Sequence, residues 1–153
     1  MFGYIISIVI AQLAGLIGSI FTMPAIATWY ASLVKPSFSP PNYLFGPVWA
    51  LLYTFMGMAA FRVWEKRRSV RGVRLALVMY GIQLVLNTLW SYVFFGAHNI
   101  LASFGVIVLL WLSIFVTAVF FYRIEKTAGW LMVPYILWVS FATALNYSLW
   151  MLN

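Results

Sequence analysis

The chain has no cysteine, and only two of its 153 residues, Glu65 and Glu125, carry a carboxylate side chain. Without cysteine there is no disulfide, no thiolate metal site and no cysteine nucleophile, and the redox compartment leaves no trace. Neither acid falls inside a long apolar run, whereas a proton-coupled exporter usually keeps an intramembrane carboxylate. His98 is the only histidine. It has no partners for a metal cluster, so its open roles are a solvated turn residue or one axial bond to a haem. No Ser-His-Asp set, phosphate-binding loop or selectivity-filter motif occurs. These absences argue against a hydrolase, a selective ion channel and a proton-driven exporter. Charge is scarce as well: 7% of residues, against roughly a quarter in soluble domains.

What is present is apolar and aromatic. Hydrophobic residues make up 65% of the chain and aromatics 20%, and mean hydropathy is +1.01. Such a chain belongs in a bilayer. The net charge of +7 would fit nucleic acid in a soluble protein. Here the basic residues sit at the ends of apolar runs, where anionic head groups and topology account for them, so no nucleic-acid partner is expected.

A membrane span needs about 20 mostly apolar residues. Five runs qualify, at residues 4–22, 44–64, 75–95, 100–122 and 129–152. The first has no basic segment before it and does not read as a cleaved signal peptide. The runs are continuous rather than alternating, which excludes an apolar β-barrel. The predicted fold is an all-α integral membrane protein, a five-transmembrane-helix bundle forming one domain over 1–153. Arg62, Lys66, Arg67, Arg68, Arg71 and Arg74 lie between runs two and three, and Arg123 and Lys126 between four and five. The opposite side holds only Lys35. The positive-inside bias therefore puts the N-terminus in the cytoplasm and the C-terminus outside.

The external loop, 23–43, is the most distinctive stretch. Four of the six prolines fall between Pro36 and Pro47. Proline lacks an N–H and fixes φ, so a helix is expected only after Pro47. The aromatic residues here exceed what a flexible linker needs. The loop reads as a stiff lid over something the helices hold.

Several helical stripes face a common interior. Phe45, Trp49, Tyr53 and Gly57 recur at intervals of four in run two. Gln83, Asn87, Ser91 and Phe94 share one face of run three, with Trp90 beside them. Pro134, Trp138, Ala142 and Asn146 do so in run five, with Phe141 and Leu145 adjacent. Amides in a bilayer require hydrogen bonds, so Gln83, Asn87 and Asn146 should point inward. Aromatics mixed with a few amides suit a large, flat, mostly apolar ligand. The same stripes also suit plain packing, with the asparagines as interhelical ties. Trp64, Trp111, Trp130 and Trp150 lie near run ends or on lipid-facing surfaces, and most of them read as interfacial anchors. Ala11/Gly15 and Ala14/Gly18 in run one, and Gly72/Ala76 in run three, allow close helix approach, within the bundle or across a dimer. Arg123-Ile124-Glu125-Lys126 reads as a solvated loop with a local ion pair.

The blocks Trp29-Tyr30, Lys35-Pro36, Pro40-Pro41 and Phe45-Gly46-Pro47-Val48-Trp49 open an end-to-end likeness. It continues through Asn87-Thr88-Leu89-Trp90, Phe94-Phe95-Gly96 and Ala128-Gly129-Trp130 to Pro134-Tyr135, Trp138, Phe141-Ala142-Thr143 and Leu145-Asn146. In these residues the chain resembles the translocator protein family, also known as tryptophan-rich sensory proteins or peripheral-type benzodiazepine receptors. The resemblance implies a five-helix bundle, commonly a homodimer. It implies a pocket under the first external loop for porphyrins such as protoporphyrin IX and for isoquinoline or benzodiazepine-type ligands, with no obligatory cofactor. Carried onto this chain, the ligand-binding residues are Trp29, Tyr30, Trp49, Tyr53, Asn87, Trp90, Trp138, Ala142 and Leu145. Some members are linked to light-dependent porphyrin breakdown, which would give Trp49 and Trp138 a catalytic role. A third role is transport or scaffolding of other lipophilic molecules. The sterol motif of the family needs a Lys or Arg that Asn146–Asn153 lacks. The short ends fit a bacterial-type member.

Overall fold

A backbone in hydrocarbon has to satisfy its own polar groups, so each apolar run folds as a helix. The computed structural model describes residues 1–153. Its elements are α1 (Phe2–Ile26), α2 (Trp29–Ser32), α3 (Phe45–Glu65), α4 (Val73–Ser91), α5 (Ile100–Ile124), α6 (Lys126–Leu131) and α7 (Val133–Leu152). Five stretches are long and apolar enough to cross a membrane: Phe2–Ile26, Asn42–Arg68, Val73–Gly96, Ile100–Ile124 and Lys126–Leu152. Around the bundle the long helices follow in the order α3, α1, α4, α5, α7, with α6 closing the ring against α3.

Small residues set the tightest contact. A Cβ on Gly57 would lie 2.5 Å from the Ile8 Cα, so α3 and α1 run backbone to backbone there. Ser7 Oγ reinforces the crossing by donating to the Gly57 carbonyl at 2.7 Å. Ala11 and Gly18 are buried, and Gly15 lies against the Tyr53 ring. The small residues of α1 are thus used inside the bundle. Ala76, fully buried in the core, is used the same way. Gly72 has a different task. Its φ of +87° makes the turn that starts α4, a conformation costly for residues with a Cβ.

Eight of the nine cations gather at one end, hereafter the basic end, and Lys35 lies at the other, the loop end. Glu125 does not form the local ion pair expected from its neighbours. It accepts from Arg62 Nε at 2.9 Å and Nη2 at 3.4 Å, joining α3 to the α5–α6 junction. Its Oε2 also accepts from the Ala128 N–H at 2.7 Å, capping α6. Trp111 differs too: it lies mid-helix and donates to Ser140 Oγ at 2.7 Å, tying α5 to α7. Trp64 and Trp130 are exposed.

Two departures concern helix ends at the loop. Helix α3 begins at Phe45, not after Pro47, because a proline in the first turn withholds an N–H that has no intrahelical partner anyway. Helix α1 likewise runs through Pro24 to Ile26, and Trp29–Ser32 forms one further turn inside the loop.

Candidate ligand site

The site begins with a wide turn. After Ser91 the α4 helix loosens into a π-type turn, Tyr92–Gly96. The extra residue per turn lets two consecutive rings, Phe94 and Phe95, both bury. Phe94 stacks on Trp90 at 5.4 Å, and Phe95 meets Phe94 edge-on at 4.7 Å. Spacing rules for a regular helix could not show this. Gly96 in the sequence was the only hint.

The loop lies down on this aromatic floor. Tyr30 is 2% exposed and packs against Phe45, Phe94 and Phe95. Trp29 meets Phe94 on one side and stacks on His98 at 4.4 Å on the other. His98 is exposed as a turn residue, with φ +53°, and no group of metal-ligating side chains exists in the chain. Phe38 packs edge-on against Phe141. Lys35 Nζ sits 4.8 Å from the centre of the Tyr30 ring. Burial raises the Tyr30 phenol pKa, with the neighbouring Ser39 hydroxyl pulling the other way. Their geometry falls short of a hydrogen bond, and both hydroxyls stay unpartnered.

Beneath the loop lies a small cavity of about 30 Å³. It is lined by Tyr30, Trp49, Trp90, Trp138, Ala142 and Leu145 among others, and all but Asn146 of its eleven lining residues are hydrophobic. Six of the nine residues predicted for the ligand site therefore meet at one place. Tyr53 and Asn87 lie instead on a second, larger cavity of about 460 Å³ between α1, α3 and α4, which Trp49 and Trp90 also line. Trp29 lines neither and holds the loop from outside. Small-molecule pockets begin at roughly 300 Å³, so the first cavity as it stands is too small for such a ligand and the second is large enough.

The polar groups divide sharply into satisfied and orphaned. Tyr53 donates to Asn87 Oδ1 at 2.9 Å, and Asn87 Nδ2 donates to the Tyr135 hydroxyl at 2.6 Å. Tyr135 in turn donates its O–H to Gln83 Oε1 at 2.9 Å, and Gln83 Nε2 donates to Met56 Sδ at 3.6 Å. This chain of bonds links α3, α4 and α7. Trp90 Nε1 donates to Asn146 Oδ1 at 2.9 Å. Trp138 lines the small cavity, and its Nε1 is buried and has no partner. Pro134 is exposed, so the α7 stripe reaches the site only from Trp138 onward.

The family signature described as TspO/MBR matches residues 7–151. The chain belongs to the TspO/MBR family. It is 44% identical over 140 residues to Protein CrtK of Rhodobacter capsulatus, an overlap of 92% of this chain and 86% of that protein. It is also 44% identical to the tryptophan-rich protein TspO of Chlorobaculum tepidum (91% and 88% covered) and 36% identical to the human translocator protein (88% and 80%). In this TspO/MBR chain some of the sequence blocks that carry the likeness line the two cavities, while Ala128-Gly129-Trp130 lies in α6 at the basic end. Phe45-Gly46-Pro47-Val48-Trp49 forms the start of α3 between them, and Phe94-Phe95-Gly96 forms the wide turn.

Proposed function

We propose that this multi-pass TspO/MBR protein binds porphyrins, with protoporphyrin IX as the reference ligand, and senses, sequesters or moves them. The observation that carries the reading is the orphaned Trp138 indole N–H, together with the unpartnered Tyr30 hydroxyl, on two residues that line an aromatic cavity. A buried polar group without a partner costs about 1–3 kcal/mol, and a ligand with acceptor atoms removes that cost. The flanking rings suit stacking on a flat macrocycle. Lys35, the only cation at the loop end, stands beside Tyr30 where ring carboxylates would emerge. Isoquinoline-type amides, flat and carrying a carbonyl, satisfy the same demands. In this reading the basic end lies in the cytoplasm.

The test is a titration of the purified protein with protoporphyrin IX, read by the porphyrin absorbance band. The expected result is saturable binding, weakened about tenfold in Trp138→Phe and unchanged in Trp130→Phe, whose ring is exposed. Equal effects of the two substitutions would place the porphyrin elsewhere.

A second reading is light-dependent porphyrin degradation. The contacts that favour it are those of Trp49, 5.7 Å from Tyr53 and 6.1 Å from Tyr135, which make a run of oxidisable rings. Light-driven porphyrin loss at an unchanged rate in Trp49→Phe with Trp138→Phe would remove it.

A further inference from the structure

We infer that the ligand reaches the small aromatic cavity beneath the loop sideways from the bilayer, between α1 and α3, and that Trp49 is the moving partition. The inference rests on the porphyrin reading above. Four residues, Phe45, Trp49, Trp90 and Phe95, line both cavities, so they form the wall between them. Their attachments differ. Trp90 is fixed by its hydrogen bond to Asn146. Trp49 makes no side-chain hydrogen bond and is held by packing alone, including ring contacts with Tyr53 and Tyr135. Displacing that one ring merges a 30 Å³ void with a 460 Å³ groove.

The loop side is fastened. Asn153 accepts from the Val34 N–H at 2.9 Å and donates to the Val34 carbonyl at 3.0 Å, copying a backbone pair. The same amide nitrogen donates to the Leu149 carbonyl, fixing the loop to the end of α7. The Trp29–His98 stack and the buried Tyr30 add two more attachments. The α1–α3 seam is the reverse. Ser7 bonds Gly57 toward the basic end, and Gln12, midway along α1, bonds the Ala50 carbonyl and Thr54 at the inner end of the groove. From Gly15 to Ile26 no hydrogen bond joins α1 to α3. Ser19 and Thr22 turn back to carbonyls of α1 itself. The groove opens along this unpinned length, beside the exposed Leu16 and Met23. Its lining carries hydroxyls and amides and no charged side chain, which suits a lipophilic ring with a few polar atoms.

The chain has no cysteine, so the two routes can be closed separately. Val34→Cys with Asn153→Cys, bridged by a short bis-thiosulfonate and verified by mass, locks the loop on α7. Ser19→Trp fills the groove, and Met23→Trp, at an already exposed position, repeats that test if the first variant folds poorly. Protoporphyrin IX is delivered from liposomes to the protein in proteoliposomes, and the association rate is followed by tryptophan quenching. The loop-locked protein is expected to bind within twofold of the wild-type rate, and the groove variants at least tenfold more slowly. A locked loop that abolishes association, with groove variants at the wild-type rate, would overturn the lateral route and leave the porphyrin site standing. Absence of saturable binding in the wild type would instead overturn the porphyrin reading and the route with it.

Discussion

Single residues here act across long sequence distances, and Glu125 is the clearest case. The hydrogen bond from Arg62, opposed by burial and aided by the Ala128 N–H, lowers its carboxyl pKa from 4.5 to about 2. A lowered folded-state pKa stabilises the fold fully above the ordinary carboxylate range, and the stabilisation is lost as pH falls toward 2. Glu65 is the only other side-chain carboxylate, so few groups confuse the measurement. In detergent, the wild-type Tm should fall between pH 5 and pH 2.5, while Glu125→Gln starts lower and stays flatter. Parallel curves would mean that the ion pair contributes nothing. Gly57 makes an independent case. Gly57→Ala pushes a methyl into the Ile8 backbone and should cost about 1–3 kcal/mol. Gly81→Ala meets nothing within 4 Å, and alanine's higher helix propensity should leave stability unchanged or raised. Equal losses in the two variants, measured by denaturant unfolding in micelles, would contradict the close α1–α3 crossing.

At the scale of elements, the bonds linking Tyr53, Asn87, Tyr135 and Gln83 fasten three helices in a medium where water cannot substitute. Asn87→Leu orphans the Tyr53 hydroxyl and should cost about 1–3 kcal/mol. Thr143→Val removes only a bond to its own helix, at the Val139 carbonyl, and should cost little. The same unfolding titration compares them, and a similar loss in both would deny the network its interhelical role. The five apolar runs and the inward amides were legible in the sequence, because a bilayer forces helices and forces amides to find partners. Gln83, Asn87 and Asn146 are buried as that rule requires. Other features lay outside what spacing can reveal. The wide turn that buries both Phe94 and Phe95 breaks the helical period on which stripe reading depends. The Arg62–Glu125 pair joins residues 63 apart. Helix α3 starts ahead of Pro47 because the first turn tolerates what the interior forbids.

For the whole molecule, the bundle provides a small aromatic void under a fastened loop, next to a larger groove, with the unbonded Trp49 indole between them. Residue types and helical spacing pointed to Trp49, Trp90, Trp138, Ala142 and Leu145 at the small void, since facing stripes of neighbouring helices have to meet somewhere in the core, whereas Tyr30 of the loop came only from the family resemblance. Spacing could not separate Tyr53 and Asn87, which lie on the groove, because that division depends on how α1 diverges from α3. The central claim is that the void beneath the loop is where a porphyrin binds. The most direct test compares Ala142→Trp with Ala144→Trp on the same helix, by protoporphyrin IX titration in detergent. Ala142 lines the void and Ala144 is exposed. The account predicts that Ala142→Trp weakens binding at least tenfold in a folded protein, while Ala144→Trp binds as the wild type does. Wild-type affinity in a folded Ala142→Trp protein would contradict it.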